Sequence, residues 1–371
     1  MSHTSLPSRM SISHLWGNNT TNSRDQYIMY MSLPMTTPSP SGSYHENIVS
    51  DEQFHIIKVV NVVVISGVLS LFGVASNIIN IVVFAKQGFQ DSMNISLMGL
   101  AVSDLFSLLT TTLQSICVNP LFYNSELPFD PRDILYLTAS VPHYLFVKIA
   151  TFITAFIAFE RCLCIAVPLK VKTIITRGRT KTIIIFIYIS MSLLIIPFCL
   201  GNRLEWVFDF NKNATVLKTT FTAEREMLEA ITFLTQGVFA TTFSFVFVLC
   251  CTIVLIVKLN SKTKWRQATA AKSDRAAGGV GVKDQKVVKM VTLIAVIFIA
   301  CSLPSTLLFL YMVIDTDFRI DGFYINLYHV LWSLAFLTET TNSSVNIFVY
   351  LKMSSKYRAV FMKIFLNKQE K

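Results

Sequence analysis

At the end of the apolar run TFITAFIAF stand two opposite charges, Glu160 and Arg161, and every charge that follows as far as Arg203 is positive. A carboxylate and a guanidinium at the end of a buried helix can pair at rest and part when helices move, which is the chemistry of a switch. The same run holds His143, Tyr144 and Lys148, and a later one carries TETTNSSVNIFVY with Glu339, Asn342, Ser343, Asn346 and Tyr350. Asp104 lies in LAVSDL and Asn77 in SNIIN. Polar groups inside apolar segments are expensive, so each is a functional candidate. Lys148 precedes Arg161 by 13 residues and Glu339 precedes Tyr350 by 11, roughly 20 Å and 16 Å of helix. The two charges therefore lie at similar depth. Either they pair when a pocket between them is empty, or one or both grip a charged ligand.

The elements that hold these residues follow from composition. The 371 residues are 53% hydrophobic and 15% charged, with mean hydropathy +0.54. Apolar runs recur at 59–85, 95–117, 134–159, 182–200, 230–257, 287–314 and 325–350. Each is long enough to cross a bilayer as a helix. The fold class is therefore an all-α membrane protein, a seven-helix bundle over 58–350. A disordered N-terminus, 1–57, precedes it and a tail, 351–371, follows.

The segments after the third, fifth and seventh runs are rich in Lys and Arg, whereas the opposite loops are mixed or acidic. This places the tail in the cytoplasm and the N-terminus outside. The net charge of +10 is then a topology signal and calls for no nucleic acid. The N-terminus has no apolar core of a cleavable leader, so the first span is expected to direct its own insertion. Sequons at Asn18, Asn19 and Asn213 fall outside and are expected glycosylation sites; those at Asn94 and Asn342 are expected to be silent.

Several chemistries are excluded. The seven cysteines lie in or near apolar runs, and Cys162-x-Cys164 lacks the spacing and further ligands of a metal site. The glycines of GGVGV follow no strand and are wrongly spaced for a nucleotide loop. No nucleophile-base motif stands out, so no enzyme is expected. Neither an inverted repeat nor a filter-like loop supports a transporter or channel. In SKYRAVFMKIFL, the residues Tyr357, Val360, Phe361, Ile364 and Phe365 form one helical face, which predicts an amphipathic helix on the lipid surface.

Asn77 in SNIIN, LAVSDL, Glu160-Arg161-Cys162, Pro304 in CSLP and NIFVY at 346–350 occur in order on spans one, two, three, six and seven. Together they resemble the rhodopsin-like G-protein-coupled receptors over about residues 58–366. The wording of KQGFQDSMNISLMGLAVSDL and NSSVNIFVYLKMSSKYR is similar to that of invertebrate peptide receptors, and nearer still to molluscan-type chemosensory receptors. The resemblance implies a plasma-membrane receptor that passes an extracellular signal to a heterotrimeric G protein. The ligand expected first is a small soluble chemosensory molecule, with a neuropeptide as the alternative.

The resemblance also implies roles. Arg161 would enter or border the G-protein site, with Glu160 as its resting partner and Asp284 as a second, shorter acid near the sixth helix; Asn346 and Tyr350 complete the switch. Asp104, Asn342, Ser343 and Asn346 match a cluster that in the family can hold a sodium ion; no other cofactor is expected. His143 stands where amine receptors carry an aspartate, and Thr340 where opsins carry their lysine. Tyr144, Phe309, Trp332 and Phe336 are candidate cavity residues beside His143, Lys148 and Glu339. Ile347 replaces the family's seventh-helix proline and Ser302 its sixth-helix tryptophan. Tyr136 stands where the third helix usually has a cysteine, and residues 202–227 contain no cysteine. The usual outer disulfide cannot form, which predicts a looser pocket mouth.

Overall fold

The computed structural model describes residues 48–366 apart from 124–126, 128, 130, 168–169, 210–212, 271–279, 316 and 319–321. Asn18 and Asn19 lie outside the described residues, as does the side chain of Asp284.

Among the described residues, six helices are long and apolar enough to cross a membrane. Five of them are α1 (Asp51–Gln87), α2 (Ser92–Val118), α3 (Tyr136–Ala166), α4 (Arg177–Gly201) and α5 (Arg225–Ser261); the sixth is α6 (Val280–Ile314), which contains Pro304. The seventh, α7 (Ile325–Met353), is as long but carries the polar run that lowers its apolarity. After a break at Ser354, whose hydroxyl accepts from the Tyr357 amide, α8 (Ser355–Phe365) follows. The first helix begins at Asp51, earlier than expected, because Ser50 and Gln53 form a reciprocal capping box. Residues 51–57 are therefore helical.

The bundle buries polar groups inside and turns large apolar side chains outward. Asn77, Asp104, Glu160 and Ser343 are at most 2% exposed, whereas Val68, Phe186 and Phe239 are each exposed by two thirds or more. A water-soluble protein would reverse this; lipid supplies the missing contacts. Leu100, Ile149, Ile153, Ile157 and Tyr350 form the central apolar core. Gly73 lets α1 approach α2 and α7 closely. A Cβ there would lie 2.7 Å from Leu108 Cδ1 and closer still to Ser344 Oγ.

Between α4 and α5 the chain forms a hairpin of β1 (Asn202–Asp209) and β2 (Ala214–Phe221), paired antiparallel from Asn202↔Phe221 to Asp209↔Ala214. Lys218 and Asp209 bridge it at 2.7 Å. Asn213, exposed with φ 47°, sits in the turn, where asparagine tolerates the left-handed region. Phe129 also makes a parallel bridge to Leu217.

Candidate functional site

The outer half of the bundle encloses an aromatic cavity of about 550 Å³ lined by His143 and Tyr144 of α3, Phe309 of α6, and Trp332, Phe336 and Glu339 of α7. These six were expected from sequence, and α3, α6 and α7 bring them together. Gln114, Ser140, Tyr328 and His329 also line it and were missed. His329 could have been found by extending the face of Trp332, Phe336 and Glu339 one turn back, since helical residues three and four apart share a face. Phe309 meets Trp332 edge-on at 4.9 Å.

Below it lies a polar cavity of about 450 Å³, lined by Lys148, Thr241, Ser302, Ser305, Thr306, Asn342 and Ser343 among others, with Glu339 shared between the two. The direct Lys148–Glu339 pair expected from depth is not made. Glu339 Oε2 instead lies 3.8 Å from His143 Nε2. Lys148 Nζ donates to Thr241 Oγ1 at 2.5 Å and sits over the rings of Tyr144, at 4.8 Å, and Phe309, at 5.1 Å. Equal depth fixes height along the bundle axis but leaves open the direction in which a side chain points. His143 intervenes, held from its other ring nitrogen, Nδ1, which lies 3.2 Å from Thr111 Oγ1 and from the Ser107 carbonyl.

The central polar cluster forms largely as expected. Asn346 Nδ2 donates to Asp104 Oδ2 at 2.9 Å, and Asn77 Nδ2 donates to the Ser343 carbonyl at 2.9 Å. Asp104 Oδ1 is buried without a hydrogen-bond partner. A carboxylate oxygen so placed, beside the Ser343 hydroxyl, fits a hard cation. Asn342 lines the neighbouring polar cavity and makes no hydrogen bond to Asp104.

At the far end of α3 the expected resting pair is also replaced. Glu160 is fully buried; its Oε2 accepts from Ser96 Oγ at 3.0 Å and its Oε1 from Thr180 Oγ1 at 3.5 Å. No ion pair joins it to Arg161 among the described residues, and Arg161 Nε is buried without a partner. Adjacent helical residues do not face one another. Glu160 therefore clasps α2 and α4, and Arg161 acts on it only as a nearby charge. Tyr350 is buried against Phe84, edge-on at 5.2 Å, and its hydroxyl has no partner.

The model of the 7 transmembrane receptor (rhodopsin family) matches residues 76–350 of this chain. The chain belongs to that family. The receptor is 27% identical over 346 residues to the thyrotropin-releasing hormone receptor of Homo sapiens, covering 86% of this chain and 80% of the relative. It is 25% identical to the same receptor of Gallus gallus, covering 84% and 79%. The growth hormone secretagogue receptor type 1 of Mustela putorius furo is 25% identical, covering 80% and 78%. The family match makes α7 the seventh span and places the receptor in a membrane as a multi-pass, non-enzymatic signalling protein. These relatives are hormone receptors and lend nothing to the narrower likeness to molluscan-type receptors.

Neither Cys117 nor Cys199, the cysteines nearest this mouth, is in a disulfide, and a polar junction occupies the place of the family's bridge. Tyr136, where the third-helix cysteine was expected, donates its hydroxyl to Glu229 Oε1 at 3.3 Å. The same oxygen accepts from Asn202 Nδ2 at 3.0 Å and from Arg225 Nε at 2.8 Å. One carboxylate thus ties α3, the start of β1 and the outer end of α5. Tyr136 also packs on Phe198 of α4, their ring centroids 5.2 Å apart. Hydrogen bonds and ring packing hold this mouth together.

Proposed function

We propose that this receptor is activated by an extracellular peptide at the plasma membrane, its N-terminus outside, and signals to a heterotrimeric G protein. The observation that carries the reading is Glu339. It lines both the aromatic outer cavity and the polar cavity beneath it, so a ligand filling the first bears directly on the second. The relatives named for hormones favour the neuropeptide alternative over the chemosensory ligand expected first.

In this mechanism the ligand enters between His143, Tyr144, Phe309 and Trp332 and shifts the His143–Glu339 contact. Ser343 and Asn346 lie on the same helix as Glu339, one and two turns nearer the cytoplasm, so a movement of α7 acts on their link to Asp104. A sodium ion held by Asp104 and Ser343, when bound, would add positive charge that favours the resting arrangement. At the inner end, release of Glu160 from Ser96 and Thr180 frees α3 from α2 and α4, and Arg161 meets the G protein. A ligand drives this change only by its differential affinity for the two states.

The test is G-protein activation in cells expressing the full chain, against peptide fractions and fractions of small water-soluble metabolites, with Arg161→Ala beside it. A peptide response lost in Arg161→Ala supports the reading. A response to metabolites alone returns the chemosensory ligand.

A further inference from the structure

Lys148 is 3% exposed, and among the described residues no carboxylate lies within 4 Å of its ammonium. An ammonium has three donors, of which Thr241 takes one. The ammonium also stands over the faces of Tyr144 and Phe309, two rings that line the outer cavity, with Glu339 an electrostatic neighbour beyond 4 Å. The cation therefore stands at the boundary between the cavities, within reach of a group pushed inward between those rings. Ser305, Thr306 and Thr241 place hydroxyl oxygens around the polar cavity, each donating its hydrogen to a backbone carbonyl. Glu339 is the one acid lining either cavity among the described residues, and its close contact is with His143.

We infer that the activating ligand presents a carboxylate to Lys148, whose ammonium Thr241 holds in place; the inference rests on the peptide reading above. The charge count favours a monoanion. A monoanion adds one negative charge beside Glu339, whereas a phosphate dianion adds two against the single ammonium. The cavities, of about 450 and 550 Å³, suit the end of a peptide with one or two aromatic side chains against Tyr144, Phe309 and Trp332. A carboxylate enters by exchanging the weaker ring-face contacts of the ammonium for a charge-assisted hydrogen bond. The carboxylate could be a free C-terminus or an Asp or Glu side chain near the peptide's end.

The experiment uses the full-length receptor in cells and a library of short aromatic-containing peptides made in matched sets. One arm pairs each C-terminal free acid with its amide; the other pairs terminal Glu or Asp with Gln or Asn. The expected result is that the carboxylate member is at least ~10-fold more potent than its neutral partner, the size of one charge-assisted hydrogen bond. The arm that shows the difference identifies the source. Lys148→Met is expected to abolish the difference and Lys148→Arg to retain it. Neutral members equal to or more potent than their carboxylate partners overturn the inference while leaving the peptide reading standing. Silence of every peptide at a receptor confirmed on the cell surface overturns the peptide reading and this inference with it. If Lys148→Met fails to reach the surface, the ratio measured on the unaltered receptor decides alone.

Discussion

Replacing Tyr357 by Phe removes a single oxygen, and its effect can be worked from the hydrogen bonds it breaks. Tyr357 is 1% exposed, and its hydroxyl donates to Asn80 Oδ1 at 2.6 Å. Asn80 in turn donates to Asn77 Oδ1 at 3.2 Å, and Asn77 donates to the Ser343 carbonyl. A continuous chain therefore runs from α8 through α1 to α7, ending beside Asp104. Burial raises the Tyr357 phenol above its ordinary value, so the hydroxyl remains a donor at any working pH. In Tyr357→Phe the ring keeps its contacts with Phe84 and Tyr350, each at 5.4 Å. The loss is the hydrogen bond alone, with the buried Asn80 oxygen left unpaired, a cost of about 1–3 kcal/mol. Tyr357→Ala adds loss of the ring, for a total of about 3–5 kcal/mol.

The assay is thermal unfolding of purified receptor, read by a thiol-reactive dye at the buried Cys117 and Cys251. Asn80→Leu and the double variant complete a cycle. The expected coupling between Tyr357 and Asn80 is about 0.5–3 kcal/mol. A Tyr357→Phe receptor that melts with the unaltered one, while Tyr357→Ala melts earlier, would refute the reasoning, because the ring alone would then hold α8.

Four further outcomes are expected. Glu229→Ala removes the acceptor shared by Tyr136, Asn202 and Arg225 and should lower stability by at least about 1–3 kcal/mol, measured by the same melt. An unchanged melting temperature would show that the junction does not stand in for a disulfide. Gly73→Ala drives a Cβ into Leu108 and Ser344 and should cost about 1–3 kcal/mol; surface expression unchanged from the unaltered receptor would refute the close approach. Asp104→Asn should abolish any dependence of agonist potency on sodium concentration, and a dependence that survives would remove Asp104 from the ion's ligands. Asn213→Gln should speed the receptor's gel migration if the exposed turn is glycosylated, and identical mobility would show that the turn carries no sugar.

Much of this was legible in the chain. Asn77, Asp104 and Asn346 could be assigned to a polar interior because charge and amide groups inside apolar runs have few places to go. The face of α8 was readable from spacing: Tyr357, Val360, Phe361 and Ile364 pack onto the core, although Phe365 remains 45% exposed. The cavity residues were readable for the same reason, since Trp332, Phe336 and Glu339 repeat at helical spacing. The partners were not. Glu160 was expected to pair with its neighbour and instead binds Ser96 and Thr180. Glu339 was expected to meet Lys148 and meets His143.

Sequence alone determined the number of spans and the list of groups that must be buried. Those follow from the transfer of side chains into lipid, a property of each segment by itself. Only the tertiary structure decided which buried group answers which, because a helical period records the face a residue shares without recording what stands opposite. The Tyr136–Glu229 link spans 93 residues and the Asn346–Asp104 link 242. Such contacts depend on helix rotation and tilt, which the packing of the whole bundle sets at once.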